Sequence, residues 1–204
     1  MKKNRQWENE AFFERLRTYQ MVASIKEPKQ LEIALSLKNN LAGVFLLTGH
    51  IGVIKGYVDL FKKHELPVFL HLEKIGGLST DTFGLDYLAK VIRPTGIITT
   101  KTNVVKIAEK MDLLTIQRFF LVDTEGLDNI SKSLCQIEPD VVEIMPARIP
   151  EMIGEIKKLT SLPIITGGLL FDRSHAVECL RYGATAVSSS KSELWNEVSS
   201  PHFA

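Results

Sequence analysis

The chain has 204 residues, of which 45% are apolar and 24% charged, and a net charge of +1 at neutral pH. The length suits one sizeable domain, and the composition excludes disordered, collagenous and low-complexity classes. No apolar run approaches the ~18 residues of a membrane-crossing helix, and no secretory signal or metal-ligand spacing is present, so a reducing cytoplasm is expected.

Residues 1–20 contain Trp7, Phe12, Phe13, Leu16 and Tyr19. They are expected to form an extra helix across the bottom of whatever follows. After them a strand–helix alternation begins. Apolar, β-branched runs occur at 21–25, 43–48, 67–72, 96–100, 118–123, 141–145, 163–167 and 184–188. Most are too apolar for strands with one wet face, and they read as strands of a buried parallel sheet. Helical patterns fill the gaps. Pro28 precedes LEIALSL; Ile54, Tyr57, Val58 and Phe61 recur at helical spacing, as do Val104, Ile107, Ala108 and Met111. Asp172 is placed to cap a helix ending at Gly183, and Ser190 with Glu193 forms a capping box for a last helix. Eight such units predict a compact (β/α)8 TIM barrel, one domain over 21–199 with a helical extension over 1–20. An open doubly wound sheet needs only five or six strands and is the competitor.

In a barrel, ligand groups collect at the C-terminal ends of the strands. Alternation along each strand then predicts which side chains face inward. It groups Phe69, His71 and Glu73; Ile97, Thr99 and Lys101; Phe119, Leu121 and Asp123; and Val141, Glu143 and Met145. Ser24 and Lys26 join from the first strand, and Ser188 and Ser190 from the last. The result is a polar pocket lined by Lys26, His71, Glu73, Lys101, Asp123 and Glu143. A phosphate site is expected beside it. The seventh strand runs into Gly167–Gly168 and the eighth into Ser188, Ser189 and Ser190. Glycine admits oxygens to backbone N–H groups, serine hydroxyls donate, and a helix N-terminus would add a favourable dipole. No dinucleotide fingerprint, P-loop, zinc-protease helix or nucleophile elbow is present. No side chain has the look of a nucleophile with its base beside it. Such a pocket suits a sensor. It also suits a barrel enzyme, an isomerase or phosphodiesterase acting on a small phosphate ester, with Glu143 as base, Lys101 and His71 polarising, and His71, Glu73 and Asp123 as a metal cluster.

The stretches RPTGIITTKTNV (93–104), IQRFFLVD (116–123), DVVEIMP (140–146), PIITGGLL (163–170) and GATAVSSSKSELW (183–195), with HLEKIGGL (71–78), closely resemble the glycerol-3-phosphate-responsive antiterminators of glycerol uptake operons. The resemblance spans roughly residues 21–197. It implies a TIM barrel that binds glycerol 3-phosphate as effector, needs no cofactor, catalyses no reaction, and acts on the leader messenger RNA of a glycerol-catabolic operon. Asp123, Glu143, Gly167, Gly168 and Ser188 to Ser190 match the family pattern, as do a basic residue at Lys101 and an acid at Glu73; Lys74 departs from it. On this reading Gly168, Ser189 and Ser190 hold the phosphate, Lys101 or Lys26 adds charge, and Asp123, Glu143 and Glu73 accept the glycerol hydroxyls.

RNA needs phosphate neutralisation. Residues 1–110 hold 17 basic and 11 acidic residues, against 8 and 13 in 111–204. Lys55, Lys62, Lys63, Lys90, Arg93, Lys106 and Lys110 fall on neighbouring outer helices and form a candidate basic stripe. A homodimer would double it. No RNP motif, KH loop or exposed aromatic platform accompanies the stripe. The GGLSTD loop (76–81) is a candidate mobile lid.

Overall fold

Eight parallel strands pair in chain order, and the last pairs with the first, closing the barrel. They are β1 Met21–Ile25, β2 Gly43–Leu46, β3 Val68–His71, β4 Gly96–Thr99, β5 Leu114–Phe120, β6 Val141–Met145, β7 Ile164–Gly167 and β8 Ala186–Ser189. The helices are α1 Lys2–Tyr19, ahead of the barrel, then α2 Gln30–Ser36, α3 Ile54–Lys63, α4 Thr82–Tyr87, α5 Thr102–Ala108, α6 Thr124–Leu134, α7 Glu151–Leu159 and α8 Arg173–Arg181. This computed structural model describes residues 2–196, with side chains from Asn9 onward, so Trp7 lies outside the described side chains. No helix among the described residues is long and apolar enough to cross a membrane.

Alternation along the strands builds two cores. One face packs inside the barrel, where Val22, Phe45, Phe69, Ile98, Leu114, Ile116, Val141, Ile165 and Ala186 form one cluster. The other face packs under the helices, with Val44, Leu46, Leu70, Ile97, Val142 and Val187 against Ile54, Val58, Phe61, Val104, Ala108, Ala176 and Cys179. Helical periodicity supplies the second set, so the spacings seen in α3, α5 and α8 are the faces that meet the sheet. Inside the barrel, space is tight. A Cβ on Gly96 would stand 2.7 Å from the Phe69 ring, so glycine there makes room for phenylalanine one strand away.

The helix α1 closes the N-terminal end. Phe12 and Leu16 are fully buried in the inner cluster, and the Phe12 ring stands 4.6 Å from that of Phe69. Arg15 secures the helix by donating to the carbonyls of Lys38 and Leu41. The bottom is thus plugged with hydrocarbon, and the C-terminal end is left for polar groups.

Three expectations need correction. The fifth strand begins at Leu114, not at residue 118, because Thr115 and Gln117 are fully buried despite their polarity. Its inward face is therefore Leu114, Ile116 and Arg118, and Phe119, Leu121 and Asp123 are not on it. On β4 the inward residue is Ile98; Ile97 packs under the helices, and Thr99 and Lys101 share its parity. Among the described residues no capping box follows β8. A single 3-10 turn, Ser192–Trp195, starts after Lys191 without a side-chain cap. The helix dipole expected at the serines is absent, since so short a turn has no appreciable macrodipole.

Candidate anion site at the C-terminal mouth

The centre of the site is an ion pair. Arg118 and Glu143 are register partners on β5 and β6, and both side chains point into the barrel. Arg118 Nε donates to Glu143 Oε2 at 2.7 Å, with the side chains 5% and 0% exposed. The other carboxylate oxygen accepts from Ser188 Oγ on β8 at 2.9 Å. A buried charge survives only when paired and hydrogen-bonded, and here three strands combine to do it. A guanidinium has five N–H donors. Glu143 takes the Nε donor, and Arg118 also lines a cavity.

That cavity, of about 220 Å³, lies between β1 and the tips of β6 to β8. Arg118 and Ser188 form its floor; Lys26, Lys191, Ser189 and Ser190 bring charge and hydroxyls; Leu47, Met145 and Leu170 supply apolar wall. Gly168 enters with φ +72°, a conformation side chains disfavour, and a Cβ there would stand 2.6 Å from Met145 Cε. Gly167 faces inward beside Ser188, and a side chain there would displace the hydroxyl that bonds Glu143. Hydrogen bonds set the roles of the hydroxyls. Ser188 spends its proton on Glu143, so its oxygen can accept from a ligand hydroxyl. Ser189 Oγ accepts from the Lys191 backbone N–H, so its proton can be donated. Gln30 joins the loops after β1 and β8: its Oε1 accepts from the N–H groups of Lys26 and Glu27, and its Nε2 donates to Ser190 O at 2.8 Å.

Of the residues expected in one pocket, Lys26, Gly168 and Ser188 to Ser190 line this cavity. Glu143 sits behind Arg118 and Ser188 and positions them; both of its oxygens are engaged, so hydroxyl acceptance falls to Ser188. Asp123 is exposed and caps α6 by accepting from Gly126 N–H. Lys101 is exposed at the start of α5 and its ammonium reaches Thr80. His71 and Glu73 form a separate cluster over β3 and β4. His71 Nδ1 lies 2.9 Å from Glu73 Oε2, and Glu73 Oε1 accepts from Thr99 Oγ1 and Thr100 N–H. Burial opposes ionisation of Glu73, but His71, Thr99 and a backbone N–H together outweigh it and bring the carboxyl down to about 2. No three His, Cys, Asp or Glu side chains among the described residues cluster as a metal site requires. The sequence reading missed Arg118, Lys191 and Gln30. Extending the fifth run back to Leu114 would have turned Arg118 inward; nothing local marks Gln30.

The basic candidates also separate. Lys55 pairs with Asp59, and Lys90 with Asp86, each within its own helical turn. Lys62 Nζ donates to Arg93 O at 3.3 Å, joining the end of α3 to the end of the next helical segment. Lys62, Lys63 and Lys106 occupy last helical turns, where cations complement the dipole, and Lys110 follows α5. Each helix runs antiparallel to the strand before it, so these groups lie toward the end of the barrel opposite the cavity. The GGLSTD loop is tied at its start: His50 and Gly76 form a parallel bridge, with Ile51 N–H donating to Gly76 O and Gly76 N–H to Gly49 O.

Comparison with known proteins adds the family. The E. coli protein YgcP, itself uncharacterized, is 29% identical over 180 residues, covering 88% of this chain and 93% of that one. The glycerol uptake operon antiterminator regulatory protein of Listeria monocytogenes superposes with a TM-score of 0.82 at 28% identity, covering 86% of this chain and 94% of its own. An antiterminator-related protein of Thermotoga maritima gives 0.77 at 23% identity, covering 87% and 98%. The profile of one family matches residues 21–195, the whole barrel, and the chain belongs to the glycerol-3-phosphate responsive antiterminators.

Proposed function

We propose that the chain is a non-catalytic sensor of glycerol 3-phosphate that binds leader messenger RNA when liganded. The observation that carries this is the composition of the cavity: Arg118, Lys26 and Lys191 converge with Gly168 and four serines on a space of about 220 Å³. A phosphate monoester carries about two negative charges at neutral pH. Arg118 is already matched by Glu143, which leaves Lys26 and Lys191 to balance the ligand. The phosphate takes the glycine N–H and the outward serine donors. The glycerol hydroxyls meet Ser188 and Ser24 between the apolar walls. The Listeria relative is a glycerol uptake operon antiterminator regulatory protein, and the reading extends that role here.

The dispersal of His71, Lys101 and Asp123 supports a sensor over an enzyme, because the groups an isomerase or phosphodiesterase would recruit do not meet at the cavity. Glu143, the candidate base, is held on both oxygens. RNA phosphates would be neutralised by Lys63, Arg93, Lys106 and Lys110 with their neighbours on the outer helices. The test is filter retention of a glycerol-operon leader transcript with and without glycerol 3-phosphate, run beside turnover assays on glycerol 3-phosphate and glycerophosphodiesters. Ligand-dependent retention without turnover is expected. Product formation, or retention indifferent to ligand, would overturn the reading.

A further inference from the structure

Five apolar side chains stand in solvent on three successive loops at the C-terminal mouth. Phe120 ends β5 and Val122 follows it, Ile149 follows β6, and Leu169 and Phe171 follow β7; each is half or more exposed. A contiguous exposed apolar patch on a folded domain marks an interaction site. The sequence suggested no exposed aromatic platform, but Phe120 and Phe171 are exposed at this end of the barrel.

The charges around the patch select the partner. Arg148 lies over the Phe171 ring, its guanidinium carbon 4.7 Å from the centroid, and is itself exposed. Lys191 Nζ lies 5.5 Å from the same centroid and donates to Phe171 O at 3.1 Å. The exposed acids of these loops sit at helix starts. Asp123 and Asp172 accept from Gly126 and His175 N–H as helix caps, and Glu125 and Glu151 occupy first helical turns, where they complement the dipoles. Aromatic faces and a stacked guanidinium are the equipment for unpaired nucleotides.

We propose that this rim seats unpaired bases of the target RNA, with Arg148 and the two phenylalanines as stacking surfaces. The proposal rests on the RNA-binding reading above and adds the surface and its link to the ligand. Leu169, Phe171 and Lys191 also line the anion cavity. An anion that draws the Lys191 ammonium inward takes it from the Phe171 carbonyl and ring, so ligand and rim share one lysine. Shared groups give the two sites different free energies in the two ligand states, which is what coupling requires. The basic helix ends have no such contact with the cavity.

Phe120 and Arg148 do not line the cavity, so Phe120→Ser and Arg148→Ala, singly and together, separate the two sites. Calorimetry with glycerol 3-phosphate is expected to give affinities within about twofold of wild type. Retention of the leader transcript is expected to fall at least tenfold in the double variant, with single-stranded oligonucleotides competing better than duplex. Charge reversal at Lys63 and Lys106 serves as the comparison. Full retention by the rim variants with loss in the helix-end variant overturns the proposal while leaving the function intact. So does a rim variant that splits a dimer in sedimentation yet retains RNA. Failure of the wild type to hold RNA at any ligand concentration overturns the functional reading itself, and this surface with it.

Discussion

The two halves of the barrel mouth are built from similar residues and do different things. Over β3 and β4, His71 and Thr99 close on Glu73 and pull its carboxyl down to about 2. Between β1 and the tips of β6 to β8, Arg118, Lys26, Lys191 and the serines surround a cavity and keep donors in reserve. Polar strand ends therefore divide into those that close on each other and those that converge on space. Only the second kind leaves room for a ligand, and residue type alone does not separate them.

The largest expected effect breaks the second half at its centre. Arg118→Met leaves Glu143 buried without its partner and is expected to cost about 3–5 kcal/mol in urea unfolding, with loss of glycerol 3-phosphate binding by calorimetry. Pairing it with Glu143→Gln should recover much of the stability and none of the binding. Recovery of binding would show that Arg118 serves the fold alone. Next comes Gly168→Val, which combines a left-handed backbone with a side chain driven into Met145. It should cost about 1–3 kcal/mol and lower ligand affinity more than tenfold; unchanged affinity in a folded variant would remove the glycine from the site.

The first half gives smaller, pH-dependent effects. Glu73→Gln removes a carboxylate held at about 2 against a usual 4.5. A depressed carboxyl stabilises the fold above its unfolded value and stops doing so as pH falls through its folded value. Wild type should thus exceed the variant in stability above pH 4.5, and the gap should close between 4.5 and about 2; chemical denaturation across that range measures it. Ligand affinity at neutral pH should not move. The smallest expected effect is that of Lys101→Ala, within about 0.5 kcal/mol of wild type in stability and unaltered in affinity. A tenfold loss of affinity would erase the distinction between the halves.

The fold was legible because its signals are local and repeated. The runs at 21–25 and 141–145 coincide with β1 and β6, and Asp172 caps α8 as its position suggested. The glycine and serine tips that line the cavity were legible for the same reason, since Gly168 and Ser188 to Ser190 lie in or next to the strands that carry them. Arg118 was not legible. Taking Asp123 as inward set the phase of β5, and that phase put Leu121 and Asp123 where Arg118 belongs. Inward and outward differ by one residue, so any error in phase moves a whole strand to the wrong face. Lys101 failed in the same way on β4.

The order of elements along this chain, and the chemical kinds of its strand tips, are written in the sequence, because a 2.0- or 3.6-residue period and a glycine or serine turn need no distant partner to be recognised. Which tips share a cavity was decided only on closure of the barrel. Register between strands 25 residues apart set Arg118 beside Glu143 and brought Ser188 to the same carboxylate from β8. Those contacts depend on how eight strands stagger as they join, a property of the closed ring rather than of any segment in it.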